Sequence, residues 1–161
     1  MAVHYFLEID GIPGESKDAK HKDELDVETW SWGETAIAPP SGRGGGGAGK
    51  VDMQAFELTV GMSKASPPLM LACASGKHIK NAVLTARRGG KAQSDFLKIQ
   101  LEEVVVSSYQ TAGGDGDENG PLDSISLVFS KIRMEYRETR PDGSLGASVE
   151  FGWDVRKNVA L

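Results

Sequence analysis

Two stretches of the chain alternate apolar and polar residues and then change phase midway, and this limits the fold more than any motif does. In residues 94–109, Leu97, Ile99 and Leu101 sit at odd positions, whereas Val104 and Val106 sit at even ones. Residues 122–137 repeat the pattern, with Ile125, Leu127 and Phe129 followed by Ile132, Met134 and Tyr136. Successive strand residues point to opposite faces, so a one-residue slip would turn the whole apolar set to solvent. A bulge or bend at each phase change keeps that set on one side. Two such bends in neighbouring strands favour a closed or strongly coiled sheet over a flat one. The expectation is a mainly β chain, a small closed β-barrel or two-sheet sandwich. At 161 residues it reads as a single domain, 1–161, long enough for a substantial core and without internal repeats.

Further strands are expected over 79–88, turning at Gly89-Gly90, and over 148–156, with Val149, Phe151 and Trp153 on one face. Near the start, Tyr5, Leu7 and Ile9 alternate with Phe6, Glu8 and Asp10 until Gly11-Ile-Pro-Gly14 breaks the run. Val27, Thr29 and Ser31 alternate with Glu28, Trp30 and Trp32, so the two tryptophans share one face and Thr29 and Ser31 the other. Two bulky rings on one face indicate core. The small hydroxylated face suits solvent or a polar cavity. One short α-helix is expected over about 67–75. Ser66 reads as its N-cap, Pro67 as its first helical residue and Gly76 as a left-handed stop. Leu69 to Ala74 are apolar nearly all round, which predicts burial on more than one side.

A glycine-rich stretch, Gly42, Arg43, Gly44, Gly45, Gly46, Gly47, Ala48, Gly49 and Lys50, tests the chain for a nucleotide site. Residues 44–50 fit the spacing G-x-x-x-x-G-K, but Val51 stands where a magnesium-binding Ser or Thr belongs. A phosphate loop also opens a helix, whereas Phe56, Leu58 and Val60 alternate with Glu57 and Thr59 in a strand period. The expectation is therefore a long arm between two strands, rich in backbone entropy, that orders on a partner. Asp115-Gly-Asp117-Glu-Asn119-Gly120 opens like a calcium loop, yet Ser126 replaces the bidentate Glu at its twelfth position and strands flank it. A solvated hairpin loop is expected there.

Cys73 reads as a small buried hydrophobe. His4, His21 and His78 are isolated, and His21, among lysines and acids, reads as a solvated loop residue. No arrangement of nucleophile and base, metal ligands or paired carboxylates is visible, so no enzyme, cofactor or metal site is expected. With 23 acidic and 18 basic residues, a net charge of −5 and no basic patch interleaved with aromatics, nucleic acid is not an expected partner. No apolar run approaches membrane-spanning length. The opening residues lack a basic n-region, so synthesis in the cytoplasm and export without a cleaved leader are expected.

Several segments together resemble the haemolysin co-regulated protein family, Hcp. They are the opening Met-Ala-Val with Phe6-Leu-Glu-Ile-Asp-Gly-Ile-Pro-Gly-Glu-Ser-Lys-Asp18, Trp30-Ser-Trp-Gly33, the stretch 44–51, Pro68-Leu-Met-Leu-Ala-Cys73, Ser75-Gly-Lys-His78 and Phe151-Gly-Trp-Asp-Val-Arg-Lys-Asn158. Their order and spacing carry the resemblance across essentially the whole chain. It implies a tail-tube-like protein of the bacterial type VI secretion system. In that family six subunits form a ring, and rings stack into a hollow tube inside a contractile sheath, below a VgrG-type spike. Secreted effectors travel in the lumen, where the ring acts as a holding chaperone. Thr29 and Ser31 are then expected to face the lumen, because the tryptophan face is needed for the core, and residues 42–50 to serve ring stacking. Six copies at −5 each carry about −30, so stacking should ease as salt rises. Pro39-Pro40 and Arg43 depart from the family pattern, and no fused toxin domain is expected after the last strand. The alternative is a carbohydrate- or calcium-binding β-module.

Overall fold

The long strand over 94–112 organises the molecule. In the computed structural model, which describes residues 2–37, 50–90 and 93–161, the described strands are β1 (Val3–Ile9), β2 (Leu25–Ser31), β3 (Glu34–Ile37), β4 (Lys50–Met53), β5 (Phe56–Gly61), β6 (Ile79–Arg88), β7 (Ser94–Ala112), β8 (Leu122–Val128), β9 (Lys131–Thr139), β10 (Leu145–Asp154) and β11 (Val159–Ala160). Helix α1 (Ser66–Ser75) lies between β5 and β6. Strands run β7-β6-β1-β2-β5-β8, and β8 pairs back onto β7, so six strands close into a barrel. All pairings are antiparallel.

Closure depends on β7 changing partners along its length. Residues 97–102 pair with β9, whereas 105–112 pair with β8. The change falls at Glu103, a non-glycine residue at φ 53°, where Leu101 hands over to Val104 as the next inward side chain. The second phase change goes further than a bend. Residues 122–137 form two strands, β8 and β9, separated at Phe129-Ser130. β8 then belongs to the barrel, while β9, β10 and β11 extend from it as a flap.

Inward residues fill the barrel in one apolar cluster that includes Leu7, Leu25, Phe56, Leu58, Leu84, Ile99, Val106, Ile125 and Leu127, all at most 2 % exposed. Each such side chain contributes about 1.5–3 kcal/mol of burial free energy. Helix α1 adds Leu69 and Ala72 to this core.

Its other side differs from the expectation of all-round burial. Met70 and Leu71 are 52 % and 67 % exposed in the single chain. The N-cap is Ala65, which has no side-chain acceptor, and Ser66, expected as the cap, is instead the first helical residue. Its hydroxyl donates to Oδ2 of the fully buried Asp123 at 2.5 Å, tying the helix to β8. Gly76 ends the helix at φ 64° as expected. Cys73 is half-buried against the core.

β3 and β4 form a separate hairpin in which Ile37 lies opposite Lys50. Gly42 to Gly49 lie outside the described residues. Lys50 opens a strand rather than a helix, which removes the structural setting of a phosphate loop.

Candidate functional site

The outward side of β2, β5, β8 and the second half of β7 is the polar surface on which the chain's candidate residues meet. On β5, Phe56, Leu58 and Val60 point inward, leaving Glu57 and Thr59 outside. On β8, Asp123, Ile125 and Leu127 are buried, leaving Ser124 and Ser126 outside. The flanking strands reach the same side through irregularities of register. In β2 the register shifts between Val27 and Thr29, so Val27 and Trp30 both turn inward although three residues apart. In β7 it shifts between Val106 and Ser108, and Tyr109 packs on the core. In each strand an inward aromatic follows the shift and short polar residues are left outside.

Cross-strand pairing then aligns two rows. Thr29, Thr59, Ser124 and Gln110 form one, and Ser31, Glu57, Ser126 and Ser108 the other. Neighbouring side chains in such rows lie about 4.5–5.5 Å apart at Cβ, close enough for hydroxyl contacts. They line a shallow depression of about 440 Å³. It adjoins another of about 520 Å³, reached through Thr59, Gln110 and Ser124 and bordered by Glu28 and the 113–120 loop. Thr29 and Ser31 are thus brought together on one exposed polar face, opposite the aromatic side of their own strand. Trp30 stacks on Phe56 with ring centres 5.6 Å apart. Trp32 packs near Phe129, and its indole donates to the Gln54 carbonyl at 2.9 Å. Burial and the nearby Asp123 carboxylate push the Tyr109 hydroxyl pKa up.

A second polar cluster was missed by sequence reasoning. His21 is buried, not solvated. Its ring stacks on Phe6 at 4.6 Å, Nδ1 lies 2.6 Å from Glu24 Oε2, and Nε2 lies 3.1 Å from Asp95 Oδ2. Arg87, only 3 % exposed, donates from Nε to Asp95 at 3.0 Å and from Nη1 to both oxygens of Asp18. Two acids and one histidine of the 14–24 segment are thereby clasped to β6 and β7. Gly14 permits the close turn, since a Cβ there would meet the Glu24 carbonyl at 2.5 Å. Burial works against the ionised form of Asp18, but the amides of Lys20 and His21 and the Arg87 guanidinium hold its carboxyl below the usual range. Burial pushes Glu24 up, with His21 opposing the shift. The available signal was the spacing Asp18-His21-Glu24, a base flanked by acids three residues away on either side.

The 113–121 loop joins β7 and β8, with the Gly114 amide donating to Asp117 at 2.8 Å. Among the described residues no group of three or more His, Cys, Asp or Glu is placed to hold a metal ion. No described helix is long and apolar enough to cross a membrane.

Comparison with known proteins agrees with this architecture. Residues 6–136 match the family described as type VI secretion system effector, Hcp. The chain is 44 % identical to protein hcp1 of Pseudomonas aeruginosa over 161 residues, covering 99 % of each. The crystal structure of Hcp1 from Salmonella typhimurium superimposes with a TM-score of 0.82 at 31 % identity, covering 100 % of both chains. A solved type six secretion system protein gives 0.92 at 27 %, covering 99 % of this chain and 100 % of its own. With a family match over most of its length and a full-length relative at this identity, the chain belongs to the Hcp family of type VI secretion proteins.

Proposed function

We propose that this Hcp chain acts as a tube subunit. Six copies form a ring, rings stack inside a contractile sheath below a VgrG-type spike, and the tube leaves the cell on contraction with effectors held in its lumen. The observation that carries this reading is the division of the barrel's surface. The two polar rows occupy one face, at whose ends on β8 Leu122 and Val128 are exposed, while further large apolar side chains stand exposed on other elements. Met70 and Leu71 project from α1, and Val149 and Phe151 from β10, with Val149 71 % exposed. On this reading neighbouring subunits cover these side chains, since contiguous exposed apolar patches mark protein contacts. Contact between unlike surfaces of identical subunits closes into a ring when the rotation permits.

On this reading the polar rows face the axis, where Thr29 and Ser31 touch effectors, and residues 42–50 reach the next ring. The whole chain works as one tube domain, and its role is mechanical, with no chemical step. Negative-stain imaging and light scattering of the purified protein are expected to show annular particles of six-subunit mass. Single subunits at every concentration would end the proposal. Deleting residues 42–50 is expected to leave rings but abolish stacked tubes, and normal tubes after the deletion would remove the arm from stacking.

A further inference from the structure

Among the eight side chains of the two polar rows, Glu57 is the one that carries charge. It is exposed, and it lies between Ser31 on one side and Ser126 on the other. Glu24, Asp18, Asp95, Glu102, Glu103 and Glu135 each face a histidine or arginine, whereas Glu57, like Glu8, Asp26, Glu28, Glu138 and Glu150 on other strands, makes no ion pair among the described residues. Among the described residues no lysine or arginine lines the depression around it or the adjoining one. The contrast with the depression beside the His21 clasp is direct, because there Lys20, Lys98 and Arg137 stand among the acids. Within the two rows Glu57 is a single carboxylate among hydroxyls and an amide, and the acids that border the adjoining depression, Glu28, Asp117 and Glu118, carry the same sign.

We propose that Glu57 makes this face charge-selective, so that it accepts protein surfaces presenting lysine or arginine amid hydrogen-bonding groups and turns away acidic ones. The proposal rests on the reading of the polar rows as the lumen. In a six-fold ring Glu57 recurs around the axis, and the six carboxylates act on one cargo together. Each contact is weak and screened by salt, but repetition on a single bound body converts weak contacts into retention. The hydroxyl rows add reversible hydrogen bonding, which suits a cargo that must later leave.

The test uses one small monomeric protein domain prepared in a basic and an acidic surface version, mixed with wild-type rings or variants and separated by gel filtration. Wild-type rings are expected to retain the basic version and lose it as salt rises. Glu57→Gln should weaken retention about fivefold or more, the size of one exposed ion pair or several acting together. Glu57→Lys should transfer retention to the acidic version. Asp10→Asn removes an equal charge from an exposed position elsewhere and should change little. Equal losses in Glu57→Gln and Asp10→Asn would reduce the effect to net charge and overturn the proposal, as would retention of neither version. Hydrogen exchange locates the bound domain. Protection of β5 and β8 amides supports the assigned face, while protection elsewhere on intact rings overturns it. Particles of single-subunit mass would instead remove the tube reading itself, and the proposal with it.

Discussion

The polar rows on β2, β5, β8 and β7 and the clasp around His21 are both built from polar side chains, yet they use them in opposite ways. In the rows, Ser, Thr and Gln side chains stand in water on strands whose other faces hold the core. In the clasp, Arg87 and His21 are buried; the Arg87 guanidinium is met by Asp18 and Asp95, and the two His21 ring nitrogens by Glu24 and Asp95. Exposed polar groups exchange water for one another at little gain, so they are free to be chosen for a partner. Buried charges lose their solvent and must be paired, so removing one leaves the others stranded. One region can vary its chemistry without harming the barrel; the other holds a segment in place.

The largest expected effect lies in the clasp. Arg87→Ala should lower stability by about 3 kcal/mol, the low end for a broken buried pair, since Asp18 and Asp95 keep 22 % and 37 % of their side-chain exposure. Urea midpoints compared at one protein concentration give the value. A loss below about 1 kcal/mol would place Arg87 with ordinary surface pairs and erase the distinction between the regions.

Next comes pH. The Asp18 carboxyl is held below its ordinary range in the folded chain, so its contribution is present above that range and lost as pH falls through the folded value. Wild type should therefore lose stability on acidification more steeply than Asp18→Asn. Glu24, raised by burial, runs the other way, because its ionisation costs the fold as pH climbs. The disadvantage of Glu24→Gln should accordingly shrink between acid and neutral pH. Parallel curves for wild type and Asp18→Asn would remove Asp18 from the acid response.

The smallest effects on stability belong to the rows. Ser31→Gln and Ser124→Ala should each shift stability by no more than about 0.5 kcal/mol, measured by the same unfolding curves. Ser31→Gln should nevertheless weaken retention of an effector by intact rings. Unchanged retention would remove Ser31 from cargo contact, and a large loss of stability at Ser124 would show the rows to be structural.

The same contrast explains what could be read from sequence. The phase change between Leu101 and Val104 announced the turn at Glu103, and alternation in 56–60 placed Glu57 and Thr59 outside, because a strand's period ties identity to face. The separation of Thr29 and Ser31 from Trp30 was legible for the same reason. Val27 was not, since a register shift moves one residue across the sheet without leaving a mark in composition. The division of 122–137 into β8 and β9 depends on which strand each half meets, a tertiary fact. Ser66 carried a capping signal, but the buried Asp123 claimed its hydroxyl. His21 looked solvated because charged neighbours usually mean water, and here they are its partners.

Sharing β7 between barrel and flap has a mechanical consequence. A neighbour gripping β9 or β10 pulls on the very strand whose ladders to β6 and β8 shut the cylinder. Force directed along β7 would load many of those hydrogen bonds side by side instead of unzipping them singly. A body assembled through its flap would transmit thrust through its walls while its staves stay joined.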